Sequence, residues 1–233
     1  MQKKILLEIS IETVDAALAA ERGGADRVEL CADLLLGGIT PSEELMWAAR
    51  KKLQIPIFVM IRPRGGDFVY TDAEFTAMKS GIAAAKKHRM DGVVLGILRE
   101  DRCVDVQRTR ELVALVRPLP TTFHRAFDES AEMRQALEDV IQTGAKRILT
   151  SGSAKNAFEG ATVLADLVAA AGDRITIIPG AGINASNIAQ VAKVTGAREF
   201  HSGLSSALPY GSRDFAKFEA ETRKLVEGLA RLS

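Results

Sequence analysis

Two kinds of segment alternate along the chain. Short apolar, β-branched runs begin near Ile5 (ILLEIS), Arg27 (RVELC), Ile57 (IFVMIR), Gly92 (GVVLGIL), Thr121 (TTFHRAF), Arg147 (RILTS), Ile175 (ITIIPG) and Glu199 (EFHSG). Each is short enough, and rich enough in residues that fit a pleated core, to predict a buried strand. Between them lie alanine-rich amphipathic stretches that predict helices: Glu12 to Arg22, Ser42 to Leu53, Asp72 to His88, Val104 to Val116, Ala131 to Thr143, Ala157 to Ala171 and Ala185 to Val194. A last helix is expected from about Asp214 to Leu229. Three helices run into glycine just before the next strand, in RGGADRVEL, TGAKRILT and TGAREFHS, where a left-handed cap is predicted.

Successive strand starts are separated by 22 residues (Ile5 to Arg27) to 35 residues (Ile57 to Gly92), and no Pro/Gly/Ser linker interrupts them. One domain over residues 1–233 is therefore expected. Eight βα units in this length predict a single (β/α)8 TIM barrel of the α/β class, with an open doubly wound sheet as the competing architecture.

Composition narrows the functions. With 31 Lys and Arg against 30 Asp and Glu, the net charge of +1 gives no field for nucleic acid or an anionic membrane surface. The apolar run in MQKKILLEIS is too short for a signal segment, and no stretch reaches the ~18 apolar residues of a membrane span. A cytoplasmic protein is expected. Cys31 and Cys103 lie far apart without metal-finger spacing, which predicts free thiols.

In a barrel the chemistry sits at the C-terminal ends of the strands. Strand one carries Glu8, strand two carries Glu29, strand three ends at Arg62, strand five carries His124 and Arg125, strand six ends at Thr150 and Ser151, and strand eight carries His201 and Ser202. Glu8, Glu29, His124, Arg62 and Arg125 are the catalytic candidates. Two carboxylates on adjacent strands form a candidate acid/base pair, and a histidine is an alternative proton carrier. Buried carboxylates need partners, and Arg62 or Arg125 is the expected one. Within IRPRGGDF, Asp67 is expected to hold Arg64, and Gly65 and Gly66 to let the loop fold over the mouth.

Anion-binding candidates are Arg64, Ser151, Gly180, Gly182, His201 and Ser202. PGAGINASNI after strand seven and HSG at its neighbour offer backbone N–H groups for a phosphate or carboxylate, and SGSAKNA after strand six adds hydroxyls and Lys155. His88, at a helix end, reads as a solvated charge.

ADRVELC, GGITPS, IRPRGGDF, TFHRAFD, ILTSG and PGAGI with a late HSG, in this order and spacing, resemble the CutC family of copper homeostasis proteins. The likeness runs from about Glu8 to Ser202. It implies a cytoplasmic TIM barrel with a role in copper handling, assembled in some members as a homodimer or homotetramer, and copper as the ion bound. It supplies no reaction. Family members often pair a cysteine on strand one with the one in ELC, an implied copper site; here the first position is Ser10 and Cys31 alone matches. Cu(I) favours two or three soft donors, so Cys31 by itself is a weak metal ligand. The alternative reading is a TIM-barrel enzyme acting on a small anionic or phosphorylated metabolite.

Overall fold

The computed structural model describes residues 4–232. Eight strands, β1 (Leu6–Ile11), β2 (Arg27–Leu30), β3 (Ile57–Met60), β4 (Gly92–Leu95), β5 (Thr121–Phe123), β6 (Arg147–Thr150), β7 (Thr176–Pro179) and β8 (Glu199–Ser202), form one parallel sheet in the order 7-6-5-4-3-2-1-8. Each is followed by a helix: α1 (Val14–Arg22), α2 (Glu43–Lys52), α3 (Asp72–Lys87), α4 (Val106–Val116), α5 (Met133–Thr143), α6 (Ala161–Ala171), α7 (Ile188–Thr195) and α8 (Phe215–Ala230). Sequential parallel neighbours joined by helices define a TIM barrel, not the doubly wound sheet, whose strand order would reverse.

The helices begin one to four residues later than periodicity predicts, except α3; ahead of α1, α2, α4, α5 and α8 a polar residue serves as the cap, whereas α6 and α7 have no side-chain cap. The Thr13, Ser42 and Asp105 side chains accept from the backbone N–H groups of Ala16, Leu45 and Arg108. Thr71 and Glu74 form a reciprocal capping box on α3. Left-handed glycines end α5 at Gly144 and α7 at Gly196, while after α1 the left-handed residue is Gly24 rather than the capping Gly23.

The core is mostly aliphatic, with Phe123, Phe127 and Phe200 fully buried. Its floor is charged. Arg27 and Arg147, each at the start of its strand, stack on the Phe58 ring at 4.7 and 4.3 Å. Gly92 leaves room for that ring, since a Cβ there would lie 2.5 Å from it.

Candidate functional site at the barrel mouth

Parallel register determines which side chains share a layer. Across β1 and β2, Glu8 stands opposite Arg27 and Ser10 opposite Glu29; across β1 and β8, Glu8 stands opposite His201. Glu8 thus lies a layer below Glu29. Arg27 Nε donates to Glu8 Oε2 at 2.5 Å, and its Nη2 donates to Glu199 Oε2 at 2.8 Å. The other Glu8 oxygen meets His201 Nδ1 at 2.8 Å. Burial opposes the charge on Glu8, but Arg27 foremost, with His201, holds the carboxyl well below its usual range. The expectation that Arg62 or Arg125 neutralises Glu8 is therefore corrected: its partners are Arg27 and His201.

Glu29 is the contrasting carboxylate. Its Oε2 accepts from the Cys31 thiol at 3.5 Å and lies 3.8 Å from His201 Nε2, while Oε1 is buried with no partner among the described residues. Burial pushes this carboxyl up to about 7, with the Glu8 charge adding to the effect. Burial works against a charged His201, yet the Glu29 and Glu8 carboxylates keep its pKa above the ordinary value.

Arg62 lies two residues past β3 rather than at its last position. Its Nη1 donates to Leu36 O at 3.0 Å and its Nη2 to Gly66 O at 2.6 Å; the guanidinium stacks on Phe68 at 4.6 Å. Its Nε has no partner among the described residues. Loop carbonyls take the place of the carboxylates expected for it.

Strand five also ends early, at Phe123, and the chain enters a 3-10 turn over Arg125–Glu129. His124 caps that turn: its Nδ1 accepts from Ala126 N at 3.2 Å, which leaves the proton on Nε2. Nε2 is buried and unpartnered among the described residues. Burial first, and the nearby Arg62 charge second, push the imidazole down to about 3, so it is neutral near pH 7. Both donors lie near the Phe68 ring, which is 4.9 Å from the His124 ring and 4.6 Å from the Arg62 guanidinium carbon.

Glu29, Arg62, His124, Arg125, Gly182 and His201 all line one cavity of about 360 Å³ at the C-terminal end of the barrel, a volume suited to a small molecule. Glu8, behind His201, does not line it. Nor does Arg64, whose Nη2 donates to Asp67 at 2.9 Å and Nε to Glu74 at 2.6 Å, outside the mouth. Ser151 and Ser202 spend their hydroxyls on the fold: Ser151 Oγ donates to Ala154 O at 2.7 Å, and Ser202 Oγ to Ile183 O at 2.6 Å, tying β8 to the loop after β7. Gly180 N–H donates to Thr150 O at 2.9 Å, and a Cβ there would meet Leu149 at 2.4 Å, so this glycine serves strand packing. His88 is corrected too, its Nε2 being 2.8 Å from Glu43 Oε2 with its side chain largely buried.

Sequence reasoning missed Arg27 and Asp128. Asp128 accepts from Thr150 Oγ1 at 2.5 Å, Ser151 N at 3.0 Å and Ser153 N at 3.1 Å, and pairs with Arg125 Nε at 2.8 Å. The signal for it was present in HRAFD, where Asp128 follows Arg125 by three residues.

Glu8, Glu29 and His201 bring donor atoms within 4.8 Å of one another. Both Glu8 oxygens are already engaged, which leaves Glu29 and His201 Nε2. Cys31 is the one thiol at hand, and burial, then the Glu29 charge, raise its pKa well above the usual value and keep it protonated. A neutral thiol beside two hard or borderline donors does not fit Cu(I).

Fold and site together define a TIM-barrel protein with a cavity of mixed charge at its mouth. A search of known families matches the CutC family over residues 5–206. The chain belongs to the CutC family. It is 45% identical over 208 residues to the mouse "Copper homeostasis protein cutC homolog", covering 89% of this chain and 76% of that one. It is 48% identical over 209 residues to a CutC family protein of Chromobacterium violaceum, covering 88% and 85%. The crystal structure of the putative copper homeostasis protein CutC of Streptococcus agalactiae superposes with a TM-score of 0.82 at 33% identity, over 85% of this chain and 98% of that one. Among the described residues no helix is long and apolar enough to cross a membrane.

Proposed function

We propose that this chain serves copper homeostasis, the role for which its mouse and human relatives are named, and that it works through a small polar ligand held at the barrel mouth rather than by trapping Cu(I) on thiolates. One observation carries the reading: three buried polar atoms, Glu29 Oε1, Arg62 Nε and His124 Nε2, lack partners among the described residues and belong to residues lining a single cavity. Unpaired buried polar atoms cost about 1–3 kcal/mol each, and a ligand that pairs them recovers that cost. The guanidiniums of Arg62 and Arg125 favour an anionic or strongly polar group. The protein is expected to be cytoplasmic, and its assembly as a homodimer or homotetramer is an expectation from the family.

Competition titration against a Cu(I) chelator, with the parent protein and Cys31→Ala, tests the copper half. Weak affinity that is the same in both is expected; tight binding that Cys31→Ala abolishes would overturn it. Thermal-shift measurements with oxalate, pyruvate and inorganic phosphate test the ligand half. At least one is expected to raise Tm in the parent but not in Arg62→Lys, and a flat profile in the parent sinks it.

A further inference from the structure

The kinds of atom left unpaired at the mouth go beyond binding. One is a carboxylate oxygen, and the other two are N–H donors grouped around one aromatic ring. His124 lies past β5, three strands around the barrel from Glu29 on β2, and Glu29, Arg62 and His124 all line the same cavity. The geometry points to proton transfer at a carbon next to a carbonyl: Glu29 as general base, with His124 Nε2–H and Arg62 Nε–H receiving the enolate oxygen of a small 2-oxo acid or α-hydroxy carbonyl compound. This rests on the ligand-site reading above and adds a reaction to it.

The step balances without a further reactant. Glu29 Oε1 takes the proton as the C–H bond breaks, and the electron pair moves into the new C=C bond. The carbonyl π pair moves to oxygen, where the two N–H groups meet it. Return of the proton to the same carbon gives exchange or racemisation; in an α-hydroxy carbonyl compound, delivery to the neighbouring carbon, with the hydroxyl proton passing to the former carbonyl oxygen, gives isomerisation.

The surroundings suit these roles. The tautomer of His124 is set by the Ala126 N–H on Nδ1, so Nε2 presents a hydrogen at all times. A neutral imidazole is closer in acidity to an enol than an imidazolium is, which suits an electrophile beside a fixed guanidinium. Arg62 is pinned by Leu36 O and Gly66 O, so its Nε–H is held in place before any ligand arrives. Glu8, locked in its ion pairs, serves as a positioning residue that orients His201 against Glu29.

The experiment is exchange of C–H for C–D in D₂O, followed by proton NMR with pyruvate, 2-oxobutyrate, dihydroxyacetone and dihydroxyacetone phosphate, beside a binding measurement with oxalate, a planar enolate mimic. Catalysed exchange of at least one probe is expected, falling about 100-fold or more in Glu29→Gln and by a similar factor in His124→Phe. Glu29→Asp, with circular dichroism to confirm folding, guards against a variant that merely unfolds, and partial activity is expected of it. Exchange unchanged in folded Glu29→Gln overturns the assignment of the base. Oxalate binding without exchange of any probe overturns the proton-transfer step and leaves the ligand site standing; neither binding nor exchange overturns both.

Discussion

Arg27 and Glu8 face one another across the β1–β2 ladder with Nε and Oε2 2.5 Å apart, and both side chains are almost wholly removed from solvent. Arg27 also holds Glu199, so one guanidinium serves two carboxylates at the floor of the barrel. Charges there tolerate burial only as a complete set, because each alone would carry its full desolvation penalty.

Arg27→Ala strands Glu8 in the core and is expected to cost about 3–5 kcal/mol, the range for breaking a buried pair. Lys4, which pairs with Asp26 at a surface where its side chain is 69% exposed, supplies the contrast. Lys4→Ala is expected to change stability by about 0.5 kcal/mol or less. Urea unfolding of both variants checks the ranking.

His124 makes stability depend on pH in a stated direction. Its folded value, about 3, lies below the ordinary 6.5, so its contribution is complete above pH 6.5 and is lost as pH falls from there towards 3. Glu29 acts oppositely: with a folded value of about 7 against 4.5, it favours the fold at low pH and loses that contribution as pH rises from 4.5 through 7. His124→Gln is expected to lose less Tm than the parent between pH 7 and pH 5.5. Equal losses in the two proteins would show that His124 is already charged in the folded state.

Asp128 organises the loop after β6 by accepting from Thr150 Oγ1 and from the N–H groups of Ser151 and Ser153. Asp128→Ala removes these acceptors together and releases Arg125. A loss of about 2–3 kcal/mol is expected, with faster hydrogen exchange confined to the loop over 151–157 and the turn over 125–129. Uniform exchange across the barrel would show that the residue does not act locally.

Gly96 gives His124 its space: a Cβ there would lie 2.6 Å from Nδ1 and 3.1 Å from the Ala126 Cβ. Gly96→Ala is expected to cost about 1–3 kcal/mol by overpacking and, because it displaces the imidazole, to remove oxalate binding. Retained binding at parental affinity would separate His124 from the ligand.

Arg62, Arg64 and Arg125 show where reading the chain stops short. The apolar run before Arg62 identified a strand and placed the arginine near its C-terminal end, since local periodicity is enough for that. The Arg64–Asp67 pair was legible as well, the two residues being three apart in a glycine-containing turn. The partner of Glu8 was not. Arg27 is 19 residues away, and only a parallel register that sets Glu8 opposite Arg27, rather than Glu29, brings them together.

The sequence by itself determined eight alternating strand–helix units and, within a barrel, the end at which chemistry collects, because such a pattern leaves few ways to bury both faces of a parallel sheet; the observed strand order then decided for the barrel over the doubly wound sheet. It also carried the family motifs. The tertiary structure alone decided which carboxylate is neutralised and which is left with a free oxygen, and which of the strand-end residues line the cavity. Those outcomes depend on register and on loop carbonyls such as Leu36 O and Gly66 O, contacts between segments whose separation along the chain says nothing about their distance in space.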